Sequence, residues 1–148
     1  MNKSRVLFIC IHNSSRSQMA EGFLRAQCGE TIDAHSAGLE AGHLNPLVVE
    51  SMRQVGIDIS HQPANPIFDY TKAGAKFDWV ITVCDETSAE KCPIFPGPAQ
   101  RLHWSFPDPS VLTGTRQEQL AGVRKIRDEI RARIEMWCDE VCAATKAG

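Results

Sequence analysis

The stretch Val6-Leu7-Phe8-Ile9-Cys10-Ile11-His12-Asn13-Ser14-Ser15-Arg16-Ser17-Gln18-Met19-Ala20-Glu21-Gly22-Phe23-Leu24 changes character twice. Val6 to Ile11 is a continuous apolar run with β-branched members, which suits a parallel strand buried on both faces. His12 to Ser15 is polar. Met19, Ala20, Phe23, Leu24 and Cys28 then recur at helical spacing. The pattern is strand, short loop, helix, and the loop has the form Cys-x5-Arg-Ser. Such a loop turns successive backbone N–H groups inward, and the helix N-terminus adds its positive end. A tetrahedral oxyanion fits that concavity. Ile11, His12, Asn13, Ser14, Ser15, Arg16 and Ser17 form the expected binding set. The planar fork of Arg16 can clamp two oxygens. Cys10 lies in the same positive field, which favours its thiolate as a nucleophile, and Ser17 can donate a hydrogen bond to it. Spacing alone is weak support, because a structural cysteine near an unrelated arginine satisfies it. Placement between an apolar strand and an amphipathic helix makes the motif specific.

Outward from this unit the strand–helix alternation continues. Thr31 to Ala37 reads as a second strand, ended by Gly38. Asn45-Pro46 reads as an N-cap with proline at the first helical position, and Gly56 as the stop. Leu47, Val48, Met52 and Val55 would face the core. Trp79 to Val83 is a third strand running into Cys84, and Arg101 to Trp104 a weaker fourth. Thr115 and Glu118 fit a capping box. Leu120, Val123, Ile126, Ile130, Ile134, Trp137 and Val141 then mark a long amphipathic helix. The charges from Arg124 to Arg133, Arg127 among them, read as its solvated face. The expected fold is α/β, with one domain over residues 1–148 and a four-stranded parallel sheet carrying helices on both faces. In such sheets, sites lie beyond the carboxyl ends of the strands. Cys10 and Cys84 stand at two of those ends.

Composition excludes several classes. The 148 residues are 43% hydrophobic and 23% charged, with a net charge of −2, as in an ordinary globular domain. That balance gives no global basic field for nucleic acid, so an anion site must be local. The apolar run after Arg5 is too short for a signal-peptide core, and no stretch reaches membrane-spanning length. A cytoplasmic monomer is the expectation. The six cysteines are then read as catalytic or redox groups rather than a disulfide framework. Cys10, Cys28, Cys84, Cys92, Cys138 and Cys142 contain no CxxC pair, which disfavours a zinc ribbon. Cys28, Cys138 and Cys142 read as structural, and no metal site is expected.

Val6 to Cys10 with Arg16-Ser17-Gln18-Met19-Ala20-Glu21-Gly22 resembles the active-site loop of the thiol-dependent arsenate reductases related to low-molecular-weight tyrosine phosphatases. Ser36-Ala37-Gly38, Gly56-Ile57-Asp58-Ile59-Ser60-His61-Gln62 and Val80-Ile81-Thr82-Val83-Cys84-Asp85 are similar to that family as well. The resemblance spans nearly the whole chain. It implies reduction of arsenate to arsenite for arsenic detoxification, with no bound cofactor and an external thiol reductant such as thioredoxin. It makes Asp108, in Phe106-Pro107-Asp108-Pro109, the general acid for the leaving hydroxide. Phosphatases of this fold usually carry tyrosine after Asp-Pro. Here Ser110 follows, which favours a small inorganic substrate.

The resemblance also implies a three-cysteine relay. Cys10 attacks arsenate, Cys84 attacks the Cys10 adduct and expels arsenite, and Cys92 exchanges with Cys84 to free Cys10. Phosphate, with the same shape and charge, is the implied competitor. Ser15 stands where some relatives carry a further cysteine. Pro63 and Asn65 stand where some bind potassium through hydroxyl and carboxylate groups, beside Asn13, Glu21 and Ser36. Two other readings remain: a low-molecular-weight protein-tyrosine phosphatase, indifferent to Cys84 and Cys92, and a non-enzymatic oxyanion-binding or redox-sensing module.

Overall fold

A computed structural model describes residues 4–10, 15–38, 43–83 and 97–147. The apolar run at the N-terminus forms strand β1 (Ser4–Cys10), and the periodic segment after it forms helix α1 (Arg16–Cys28). Strand β2 (Ile32–Gly38) follows, then α2 (Pro46–Arg53), α3 (Ile67–Lys72), β3 (Trp79–Thr82), β4 (Gln100–His103), a short 3-10 turn at Pro109–Val111 and the long α4 (Arg116–Ala147). The four strands are all parallel in the order β2-β1-β3-β4. The first strand in sequence is therefore central, which explains its uninterrupted apolar character.

The local signals act as expected. Asn45 caps α2, its side chain accepting from Leu47 N at 3.0 Å. Thr115 Oγ1 accepts from Glu118 N at 3.1 Å at the start of α4. Gly56, at φ +82°, makes the left-handed turn that ends the α2 region. The short helix α3 is absent from the sequence reading. It has no buried residue, so it carries no apolar stripe from which a helical period could be read.

Alternate β1 side chains point to opposite faces. Val6 and Phe8 join the larger core with Met19, Phe23 and Leu24 of α1, Val48 and Met52 of α2, and Val123, Ile126, Ile130 and Ile134 of α4. Leu7 and Ile9 pack on the other face with Ala37, Phe77 and Val80, beneath Ile67 and Tyr70 of α3. Burying each large side chain contributes about 1.5–3 kcal/mol. Trp79, Trp104 and Trp137 meet edge to face, with Trp137 centroids 5.4 Å and 6.1 Å from the other two. Cys28 at the end of α1 is disulfide-bonded to Cys138 of α4. No helix among the described residues is long and apolar enough to cross a membrane.

One expectation needs correction. Arg127 is not on the solvated face of α4. It is 8% exposed, and its Nη1 donates to Ser51 O at 2.9 Å, pinning α4 to α2. Charge periodicity cannot show this, because a long guanidinium stem can bury itself and still satisfy its head. Arg127→Ala should lower the unfolding free energy by about 1.5–3 kcal/mol, the range for a hydrogen bond made by a charged group. Arg131→Ala, on the exposed Arg131–Glu135 pair, should change it by less than about 0.5 kcal/mol. Paired urea titrations check the contrast; equal losses would place Arg127 in solvent after all.

Candidate active site

The parallel sheet gathers chemistry at the carboxyl ends of its strands. β1 delivers Cys10, which is 3% exposed. α1 begins six residues later, so its N-terminal end meets the sheet beside that thiol. Cys10 Sγ lies 2.9 Å from Ser17 Oγ, in the buried interior. That contact lets the hydroxyl donate to a thiolate, as expected from the sequence. Ser15 and Arg16 are 3% and 4% exposed. Ser15 Oγ is the one buried side-chain polar atom among the described residues that has no hydrogen-bond partner within the protein. A buried hydroxyl without a partner carries a desolvation cost that an incoming acceptor would relieve. Its place, between the loop and the first turn of α1, suits an oxyanion.

Arg16 reaches across the fold. Its Nη1 donates to Phe106 O at 3.1 Å, and its Nη2 lies 3.7 Å from Asp108 Oδ2. Asp108 is about three-quarters buried at its side chain. The structure therefore brings Cys10, Ser15, Arg16, Ser17 and Asp108 to one end of the sheet. The Phe106 carbonyl was not singled out in the sequence reading, since backbone acceptors leave no residue-type signal. Ile11, His12, Asn13 and Ser14 of the expected loop, and Cys84 and Cys92 of the expected relay, lie outside the described residues. The approach to Cys84 is described. Val83 N donates to Ile9 O at 2.9 Å, so the residue before Cys84 is bonded to the residue before Cys10. Chemically, the arrangement offers a sulfur nucleophile, a fixed cation, a positive helix end and a carboxyl group at one end of the sheet.

Along the first turns of α1 lies a polar cluster built on Glu21, which is 5% exposed. Ser36 Oγ donates to Glu21 Oε1 at 2.6 Å, and Arg25 Nη2 pairs with Glu21 Oε2 at 2.6 Å. Asn65 Nδ2 donates to Ser36 O at 3.3 Å and to Pro63 O at 3.4 Å, and Gln18 Nε2 donates to Pro63 O at 2.9 Å. Tyr70 closes the cluster. Burial, with the Glu21 carboxylate adding to it, raises its hydroxyl to about 12, so it stays protonated. These residues do not fit a monovalent cation. Both Glu21 oxygens already take an internal donor, the Arg25 guanidinium supplies the balancing charge, and Asn65 turns its donor face inward.

Comparisons with known proteins agree with this geometry. A model of the low molecular weight phosphotyrosine protein phosphatase family matches residues 5–147. An arsenate reductase of Halalkalibacterium halodurans is 42% identical over 139 residues, covering 94% of this chain and 98% of the relative. Among solved structures, an arsenate reductase in the phosphate binding state superposes with a TM-score of 0.74 at 31% identity, covering 93% of this chain and 98% of that one. The thioredoxin-dependent arsenate reductase of Corynebacterium glutamicum gives a TM-score of 0.70 at 29% identity, covering 96% of this chain and 63% of that one.

The Glu21 cluster generates a prediction that needs no substrate. The thermal unfolding midpoint should be the same in potassium chloride and sodium chloride at equal ionic strength. A selective rise in potassium would mean that the ion enters the cluster, because a ligand that binds only the folded state stabilises it.

Proposed function

The chain belongs to the low molecular weight phosphotyrosine protein phosphatase family, and from that premise we propose that it reduces arsenate to arsenite with an external thiol reductant, in the service of arsenic detoxification. The observation that carries this reading is the Cys10 thiol at the end of the central strand, 2.9 Å from the Ser17 hydroxyl, in a chain 42% identical to an arsenate reductase over almost its whole length.

The Cys10 thiolate attacks arsenic(V) held by Arg16, Ser15, Ser17 and the loop Ile11-His12-Asn13-Ser14. Asp108, set beside the guanidinium of Arg16, protonates the departing hydroxide, which leaves as water. The product is a Cys10 sulfur–arsenic(V) adduct. The Cys84 thiolate then attacks the Cys10 sulfur. The sulfur–arsenic bond breaks with its electron pair going to arsenic, arsenite leaves, and a Cys10–Cys84 disulfide remains. Cys92 attacks Cys84, forms Cys84–Cys92 and releases the Cys10 thiolate. Two thiols are oxidised for each arsenate reduced. The exchange moves the oxidation away from the anion pocket, where an external dithiol, taken to be thioredoxin, reduces it by the same chemistry. The hydrogen bond from Val83 to Ile9 supports the second step, since it ties together the chain segments that lead into Cys84 and Cys10. Phosphate has the same tetrahedral form and charge and competes for the loop.

The decisive experiment is a single turnover. Fully reduced protein mixed with arsenate, without added reductant, should lose two thiols per arsenite formed, with the new disulfide mapping to Cys84 and Cys92. Cys84→Ser and Cys92→Ser should each abolish multiple turnovers with thioredoxin. No thiol loss and no arsenite, with phosphate-ester hydrolysis unchanged in both variants, would establish the phosphatase reading instead.

Ser15 offers a quantitative check. Loss of one hydrogen bond to the anion, about 1 kcal/mol, should raise KM for arsenate roughly fivefold in Ser15→Ala, by the factor of ten per 1.4 kcal/mol. The unfolding midpoint should not fall, because the hydroxyl has no partner inside the protein. An unchanged KM would remove Ser15 from the binding set.

A further inference from the structure

Cys28 and Cys138 have no part in the chemistry proposed above, yet they are bonded to each other. Cys28 is the last residue of α1, and Cys138 lies in the distal part of α4. They are 6% and 4% exposed and their Cα atoms are 6.5 Å apart, within the roughly 4.4–6.8 Å span that a disulfide bridges without backbone movement. The backbone at Cys28 is fixed: its carbonyl accepts from Thr31 N at 3.0 Å and from Thr31 Oγ1 at 3.3 Å. On the α4 side, Cys138 follows Trp137 of the buried aromatic cluster.

The pair also sits far from Cys10. α1 runs from Arg16, at the carboxyl ends of the strands, to Cys28, which leads into β2 at the amino end. Twelve helical steps of 1.5 Å make this about 18 Å. Exchange needs one sulfur to touch another, so no direct step connects Cys28 with Cys10.

We infer that Cys28 and Cys138 form a second thiol–disulfide site, a redox latch that fastens the end of α1 to α4 independently of the arsenate chemistry. A low-molecular-weight disulfide is the oxidant class. One cysteine thiolate attacks it and releases one small thiol. The other cysteine then attacks the mixed disulfide and releases the second. Two protein thiols become one disulfide, and one small disulfide becomes two small thiols. The latch closes a loop of 110 residues, which contains β2, β3, β4 and Asp108 and leaves β1 and the Cys10 to Ser17 segment outside it. Long loops are those in which a cross-link removes the most freedom from the unfolded chain.

The test uses the full chain with oxidised glutathione and needs no arsenate, so it stands or falls apart from the function proposed above. After oxidation, digestion without reductant should yield a peptide pair joined through Cys28 and Cys138. The midpoint of thermal unfolding should stand about 5 °C or more above that of the reduced protein. Cys28→Ser and Cys138→Ala should each lose that joined pair and most of the shift. Recovery of Cys28 and Cys138 as separately alkylated peptides from the oxidised, folded protein would overturn the inference. An oxidation-dependent shift of the same size in both variants would do so too, since the shift would then belong to another cysteine pair.

Discussion

The buried guanidinium of Arg16 is the link on which the site depends. It begins α1, yet it donates to the carbonyl of Phe106, ninety positions further along the chain, and lies beside Asp108. One side chain thus sets the loop after β1 against the segment after β4. A buried arginine is tolerable only when its donors are satisfied and its charge is balanced. Phe106 O supplies part of the first condition, and Asp108 contributes to the second. An oxyanion in the loop would contribute to both. The charge proposed to bind the substrate is therefore also a structural tie, and the proposed acid, Asp108, lies beside that same guanidinium.

The sheet decides what else can meet there. With all strands parallel and β1 in the centre, every strand discharges its chain at the same edge. Cys10, the residue before Cys84, and the approach to Asp108 arrive together because β1, β3 and β4 are neighbours. β2 flanks β1 on the other side and ends at Gly38, whose N–H donates to Asn65 O at 2.9 Å. That bond brings the Pro63 to Pro66 segment alongside the Glu21 cluster, behind the first turns of α1. The same topology sends the end of α1 to the opposite edge, which is why Cys28 is out of reach of Cys10.

Much of this was legible in the sequence, for reasons that differ by residue. The β1–loop–α1 unit declared itself because an all-apolar strand, a polar loop and a helical stripe are adjacent in the chain. The caps at Asn45 and Thr115 were readable because each acts within three residues of itself. Asp108 was readable through resemblance, not through its own environment. The features that escaped depend on contacts between distant segments. Arg127 is buried only because Ser51 of α2 offers a carbonyl there. Arg25 matters only because Glu21 is buried beneath it. α3 packs its residues partway against the sheet, so no period marks it. The Cys28–Cys138 pairing spans 110 residues, and the spacing of these cysteines along the chain carried no sign of it.

Two classes of sulfur chemistry thus share one small domain, and the fold keeps them apart by geometry rather than by reactivity alone. At the carboxyl edge, Cys10 stands beside the N-terminal end of α1, 2.9 Å from the Ser17 hydroxyl. At the amino edge, Cys28 lies at the C-terminal end of the same helix, bonded to Cys138 of α4. The single helix α1 has one cysteine beside each end, about 18 Å apart along its axis, so its direction relative to the sheet fixes which of them faces the anion loop and which faces α4.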